Sequence, residues 1–406
     1  MSFRRLFQWL GLSAAARTIG VLVMIGALWT EHRSAITLPA PTGPFAVGRS
    51  VEAWTDPTRI DALAPQPGTK RELLLWLWYP SASPAAAPPD DYLPAYMKSA
   101  LEREPVPATW LGLLTRDLSK VHAHSVRQPD VASDYAPYPV AILRGAASVS
   151  VMTYTTLAED LASHGYVVVG IDAPYRTGAV VFPDGRIARR TNENNPELCW
   201  GRPDQTQCLA RLMAAWIADI TFVVDRLAQL NTDSSSRFHG RLDSSRIGVF
   251  GHSFGGAQAA QFCHEDTRCK AGADIDGAPF GSVIQSGINV PFLFLVSGEG
   301  DFSTNAENRQ ILADIQSIYD RLPPDGRERL KIQGASHFTF TDDGALLKSG
   351  LIRGVLRLFG KLRIDAGRQL GITAYCVRSF FDAHLSGRRG GQFTIATPEF
   401  SEIQPF

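Results

Sequence analysis

The feature that most constrains this chain is a strand-like run that passes without a spacer into a helix-like run. Arg246-Ile-Gly-Val-Phe250 is β-branched and aromatic, Gly251-His-Ser253-Phe-Gly255 fits the spacing G-x-S-x-G, and an Ala- and Gln-rich helical pattern begins at once. A strand that turns directly into a helix holds its middle residue in a strained conformation with the side chain pointing outwards. Glycines on either side remove the Cβ atoms that would collide with the neighbouring strand and helix. The segment therefore predicts Ser253 Oγ exposed above a sheet edge, at a helix N-terminus whose dipole favours a developing anion. A Gly-rich structural turn is the other reading of the motif alone; the strand before it and the helix after it argue for a nucleophile.

The rest of the chain supplies a matching framework. Strand-like runs at 71–79, 139–143, 166–172, 246–250, 271–276, 291–296 and 329–333 alternate with helical patterns at 153–164, 209–230 and 305–322, and 346–385 is mostly helical. This order predicts an α/β fold of the α/β-hydrolase kind: a mostly parallel central sheet with helices on both faces. Pro139-Val-Ala-Ile-Leu143 shows no polar alternation, as expected of a strand covered on both sides. Ligands in such sheets bind beyond the carboxyl ends of strands, where Ser253 falls.

Two segments stand outside the alternation. Residues 89–133 carry Tyr92, Leu93, Tyr96, Met97, Trp110, Leu111, Leu113 and Leu114 among charges and read as a helical insertion; 189–207 is an Asn-, Pro- and Arg-rich loop. Both are expected to cover the site and shape its pocket, with plain packing as the other reading of the first. With 406 residues, 45% of them hydrophobic, the segment 35–406 has enough material for one catalytic domain. Lys+Arg and Asp+Glu balance at 40 each, so no basic excess points to nucleic acid.

The first 34 residues read as a targeting segment. Arg4-Arg5 precede an apolar stretch from Trp9 to Trp29 that is interrupted at Arg17-Thr18. No small-x-small cleavage site follows, which favours an uncleaved signal anchor with the enzyme periplasmic or exterior; a cleaved signal peptide is the alternative. The five cysteines fit export. Cys199 with Cys208, and Cys263 with Cys269, each bracket a short loop that a disulfide can close in an oxidising compartment. Cys376 lies in an apolar helical pattern and reads as a buried small hydrophobe. Neither pair has zinc-ligand spacing, and no metal or cofactor is expected.

A serine nucleophile needs a base. Of nine histidines, His337 is the one placed on a loop after a late strand and bounded by small residues. His252 adjoins Ser253, and neighbours in a tight turn point different ways. His122, His124 and His239 fit surface roles, and His164 ends a helix. The base in turn needs an acid to hold its tautomer. Asp276 and Asp301 both lie between Ser253 and His337 at strand ends, and spacing does not choose between them. Oxyanion donors are expected from the backbone N–H of Phe254 and from the loop after Leu143, with Ala146 as the candidate.

These residues carry a resemblance. The chain resembles the plasma-type platelet-activating factor acetylhydrolases and their bacterial relatives in Pro41-Thr-Gly-Pro-Phe45, Trp78-Tyr-Pro80, Asp160-Leu-Ala-Ser-His-Gly165, Gly251-His-Ser-Phe-Gly-Gly256, Asp276 and Ser336-His337. The resemblance implies a triad of Ser253, His337 and Asp276, selecting Asp276 over Asp301. It also implies hydrolysis of short or oxidised acyl esters of phospholipids or other small hydrophobic esters. Broad carboxylesterases and polyester hydrolases share the pattern, and an inactive α/β-hydrolase acting as a binding module is the reading from another class. Arg144 stands where that family's oxyanion loop has His.

Overall fold

The structure, a computed structural model, describes residues 3–82, 87–103, 116–298, 306–347, 350–359, 363–386 and 399–405. Its centre is a ten-stranded sheet built from β1 (Ala46–Ile60), β2 (Lys70–Ser81), β3 (Val126–Arg127), β4 (Tyr138–Arg144), β5 (Val167–Asp172), β6 (Leu242–His252), β7 (Cys269–Ile275), β8 (Phe292–Ser297), β9 (Arg327–Ile332) and β10 (Ile403–Pro405). The spatial order is β10-β9-β8-β7-β6-β4-β5-β2-β1-β3. From β9 through β5 every pairing is parallel, while β2 is antiparallel to both β5 and β1, and β10 to β9.

The two-residue period of the strands divides the core into two layers. Leu74, Trp76, Trp78, Leu143, Phe250 and Leu295 face one side. There they meet α3 (Thr155–Ser163) and α7 (Ala366–His384), through residues such as Leu161 and Phe381. Leu73, Leu75, Leu77, Ile142, Val249 and Phe294 face the other. That side packs on α4 (Gln205–Thr232), α5 (Phe254–Glu265) and α6 (Ala306–Tyr319). Strands buried on both faces explain the near-continuous apolar runs in the sequence. Helix α4 is long and apolar enough to cross a membrane, yet Met213, Ile217, Ile220, Val223 and Leu227 are packed in this layer.

β1 departs from the expectation. Its second half, Thr55-Asp-Pro-Thr58, carries no strand signal, and it is ordered by pairing with β2 from Ala46↔Ser81 to Asp56↔Arg71. The 89–133 insertion also differs from a simple cover. It contributes the short helix α2 (Ala95–Glu102), buries Tyr92, Leu93 and Met97 in the core, and adds β3 to the sheet edge. Trp110, Leu111, Leu113 and Leu114 lie outside the described residues. The 189–207 segment forms short 3-10 turns, and Cys208, expected in a loop, sits in the first turn of α4. Both cysteine pairs are disulfides, Cys199–Cys208 with Cα atoms 5.8 Å apart and Cys263–Cys269 at 5.1 Å. They point to an oxidising, extracytoplasmic compartment. Cys376 is free and buried, and burial pushes its thiol up to about 12.

The segment α1 (Phe3–His32) is one continuous helix. From Arg17 onwards its apolar side chains are mostly exposed, with Ile19, Leu22 and Val23 at 61%, 62% and 66%. Its end is tied down by the Glu31–Arg116 ion pair.

Candidate active site

The Gly251–Gly255 motif folds as its glycines require. β6 ends at His252 and α5 begins at Phe254, leaving Ser253 alone between them at φ 56°, ψ −126°. That left-handed conformation is one few non-glycine residues adopt. A Cβ at Gly251 would stand 2.4 Å from the backbone of Gly255, and one at Gly255 would stand 2.2 Å from the Arg144 carbonyl. Strand β6 can thus lie against β4 and still turn into the helix only because both positions lack a side chain. Ser253 N–H bonds the Ile275 carbonyl at 2.8 Å, which joins the turn to the end of β7. Phe254 opens α5, where backbone N–H groups have no partner within the helix.

The candidate acid and the candidate base meet over the ends of β7 and β9. Asp276 follows β7 with φ 54°, a second left-handed non-glycine residue at the site. His337 opens a 3-10 turn after β9. His337 Nδ1 lies 2.7 Å from Asp276 Oδ2, and Asp276 Oδ1 accepts the Ser297 backbone N–H at 2.6 Å. Burial by itself raises the Asp276 carboxyl; the His337 bond and the Ser297 N–H outweigh it and leave the group below its ordinary value. Asp276 is therefore ionised at neutral pH and its second oxygen is held by the backbone. That leaves the first oxygen to fix the His337 ring. Among the described residues no hydrogen bond joins Ser253 Oγ to His337, a contact that in free enzymes often closes only with substrate. Asp301 lies outside the described residues.

Asp274, two residues earlier on β7, has the opposite character. It is buried behind Gly256, where a Cβ would come within 1.8 Å of its Oδ1, and burial pushes its carboxyl well above the usual range. Two carboxyls at one strand end are thus set to different protonation states by environment alone.

Two other histidines, His252 and His164, occupy structural places. His252 is fully buried, with Nδ1 2.9 Å from Tyr154 Oη, and burial beside the His337 ring pushes it down to about 3, so it is neutral. Its ring lies 4.5 Å from that of His337 and so braces it from the elbow side. His164 Nε2 sits 2.9 Å from Thr42 Oγ1 and 2.8 Å from Arg378. The Pro41-Thr-Gly-Pro segment docks on the end of α3: Thr42 N–H and Oγ1 bond Asp160, and Gly43 N–H bonds Ser163 Oγ. The two motifs at 41–45 and 160–165 are therefore a single packing joint.

In the loop after β4 the expected second donor already has a partner. Ala146 N–H, the candidate second oxyanion donor, is given at 3.0 Å to Tyr154 Oη. The tyrosine hydroxyl accepts from Ala146 and donates to His252 Nδ1, so in this structure the Ala146 N–H is not free to meet a substrate oxygen. Arg144 is turned away from the site, with Nε on Gln258 Oε1 at 2.7 Å and Nη1 on the Ile171 carbonyl at 3.3 Å. Sequence reasoning left out Tyr154, whose hydroxyl becomes meaningful only once the fold sets it between two segments about a hundred residues apart.

Beside the elbow lies an aromatic wall. Trp216 packs edge-on to Phe254 at 5.2 Å, and Tyr175 and Phe280 border the same cluster, which the Cys199–Cys208 disulfide closes. A groove of about 890 Å³ between Trp54–Arg59 and α4 is lined by none of Ser253, Asp276 and His337.

The fold and this site define a carboxylic ester hydrolase of the α/β-hydrolase class. The sequence model of the family described as platelet-activating factor acetylhydrolase, isoform II, matches residues 207–392. A relative from Arthroderma benhamiae, described as a probable 1-alkyl-2-acetylglycerophosphocholine esterase, is 25% identical over 95% of this chain and 98% of its own length. The platelet-activating factor acetylhydrolase of Cavia porcellus is 27% identical over 57% of this chain and 55% of its own. Among solved structures, a ferulic acid esterase from Streptomyces cinnamoneus matches 92% of this chain and all of its own, with a TM-score of 0.71 and 28% identity. Within its class, the chain is similar to the platelet-activating factor acetylhydrolases.

Proposed function

We propose that the chain hydrolyses short or oxidised acyl esters of lipids through Ser253, His337 and Asp276. The observation that carries the reading is the 2.7 Å contact of His337 Nδ1 with an ionised Asp276, beside a serine held at φ 56° between strand and helix. Ser253 Oγ attacks the ester carbonyl while His337 Nε2 takes its proton, and Asp276 stabilises the imidazolium. The Phe254 N–H holds the oxyanion at the positive end of α5. Collapse expels the alcohol, which takes the proton back from His337. Water then attacks the acyl-enzyme with the same histidine as base, and release of the acid restores Ser253. Ala146 contributes a second donor once the carbonyl oxygen displaces Tyr154 Oη.

The names of the Arthroderma and Cavia relatives support a phospholipid with a small sn-2 acyl group. A second reading, a broader carboxylesterase that accepts aromatic or polymeric esters, is favoured by the wall of Phe254, Trp216, Tyr175 and Phe280. An acyl-length series of p-nitrophenyl esters, run beside a short-sn-2 phosphatidylcholine and a methyl ferulate, separates the two. The first reading expects the phospholipid to give the highest kcat/KM and chains beyond about eight carbons to fail. A ferulate preference sinks it. Absence of labelling by a fluorophosphonate probe would instead favour an inactive binding module.

We infer further that α1 anchors the enzyme on the outer side of a membrane, supported by Arg4-Arg5 before an apolar helix with exposed side chains. Fractionation should recover the enzyme in membranes with its N-terminus intact. A mature N-terminus near Ile36 would show a cleaved signal instead.

A further inference from the structure

Behind the 144–146 loop, two fully buried guanidinium groups lie together with no carboxylate hydrogen-bonded to either. Arg144 spends Nε and Nη1 on Gln258 Oε1 and the Ile171 carbonyl, and its Nη2 has no partner. Arg176 spends only Nη2, on the carbonyls of Gly145 at 2.6 Å and Ala146 at 3.4 Å; its Nε and Nη1 have none. Two neutral donors at the same place are equally unpartnered. One is Gln258 Nε2, whose orientation follows because Arg144 must meet the amide oxygen. The other is Trp216 Nε1, whose ring lies 4.9 Å from Arg176 Cζ.

The nearby carboxylates are committed elsewhere. Asp172 accepts from Trp76 Nε1, Ser150 Oγ and Val151 N–H, and Asp219 accepts from Arg71 and Arg59. Burial, with help from Arg176, pushes Arg144 down to about 9, and burial pushes Arg176 down to about 10. Both therefore remain cationic at neutral pH. Five buried donor atoms from four elements thus lack an acceptor, and three of them belong to unpaired cations, which are costly in a protein interior. Water answers this poorly, since each water brings two hydrogens that need acceptors of their own. An anion accepts from every side.

We propose that Arg144, Arg176, Gln258 and Trp216 enclose a site for a small monovalent inorganic anion of the halide class. The burial of all four side chains excludes larger carboxylates and phosphates. By offsetting one of the pair's two charges beside Arg176, whose Nη2 grips the Gly145 and Ala146 carbonyls, the ion would hold this loop in place.

The test uses the purified full chain, with sodium chloride or bromide exchanged for sodium gluconate at constant ionic strength. The expected result is a saturable rise in Tm of about 3–5 °C in either halide and none in gluconate. Crystals grown in bromide should show an anomalous peak in contact with Arg144 and Arg176. Arg176→Met should abolish the halide-dependent rise. Trp216→Phe, which keeps the ring and removes one donor, should raise the halide midpoint by about tenfold. Equal Tm in halide and gluconate, no bromide at the site, or halide midpoints unchanged in both variants would each overturn the assignment. If Arg176→Met fails to fold, the wild-type salt comparison, the bromide crystals and Trp216→Phe still decide.

Discussion

The two halves of the site are built from opposite charges. On the β7–β9 side stands the ionised Asp276, and both of its oxygens have a partner. On the β4 side stand Arg144 and Arg176, whose guanidinium groups keep three unpartnered nitrogens. The signs suit ester hydrolysis, since an imidazolium forms beside the Asp276 carboxylate and an oxyanion on the side of the loop that the cations back. The halves differ in readiness as well. The Asp276 side already holds its contact with His337, whereas the loop side keeps its Ala146 N–H on Tyr154. The Asp276–His337 contact is preset, which leaves the Ser253–His337 contact and the loop still closed on itself for substrate binding to complete.

The most severe way to break this comparison is to remove the group both halves serve. Ser253→Ala should lower kcat by about 10⁴–10⁶ with an unchanged melting curve. Activity within tenfold of wild type would remove the elbow from the chemistry.

Next comes the acid half. Asp276→Asn leaves His337 facing an amide and should cost at least about 10³ in kcat, while Asp301→Asn should cost less than about tenfold. The reverse order would move the acid to the later strand and leave the 2.7 Å contact without a catalytic role.

The loop half predicts a smaller change of opposite sign. Tyr154→Phe releases the Ala146 N–H, so kcat should rise by a few-fold at unchanged KM. The variant should lose about 1–3 kcal/mol of stability because His252 Nδ1 is left buried without a donor. A fall in kcat beyond tenfold would mean that Tyr154 holds the loop in its reactive position and does not compete with substrate.

The smallest effect lies next to both halves. Asp342, beside the His337 turn, is buried against Tyr92 Oη and the Thr156 N–H, and burial pushes it up to about 8. A carboxyl raised on folding binds more protons in the native state than in the unfolded one. Its effect on stability is therefore lost progressively as pH rises from about 4 to 8. Urea midpoints should decline over that interval, and Asp342→Asn should flatten the decline without abolishing it, since Asp274 and Asp343 are raised too. An identical slope in the variant would assign the decline to other groups.

Much of this site can be read in one dimension because its constraints are local. The glycines around Ser253 answer to collisions with residues a few positions away and with one neighbouring strand. His337 is marked by its place after a strand. The apolar runs at 139–143 and 166–172 show burial on both faces directly. Cys263 and Cys269 are six residues apart, close enough for chain connectivity to bring them together.

What only the tertiary structure decided depends on groups distant in sequence. Spacing treats Asp276 and Asp301 alike, and it is the register of β7 against β8 and β9 that carries Asp276 to His337. Ala146 has a backbone N–H in any fold, and whether it is available depends on a tyrosine hydroxyl and on a histidine about a hundred residues further on. β1 exists because β2 offers it a ladder, against its own weak propensity. Arg144 and Arg176 look like ordinary surface charges until the sheet and α4 close over them. Steric rules between near neighbours are written in the order of residues. Electrostatic ones depend on distance and burial, which exist only once the chain has folded.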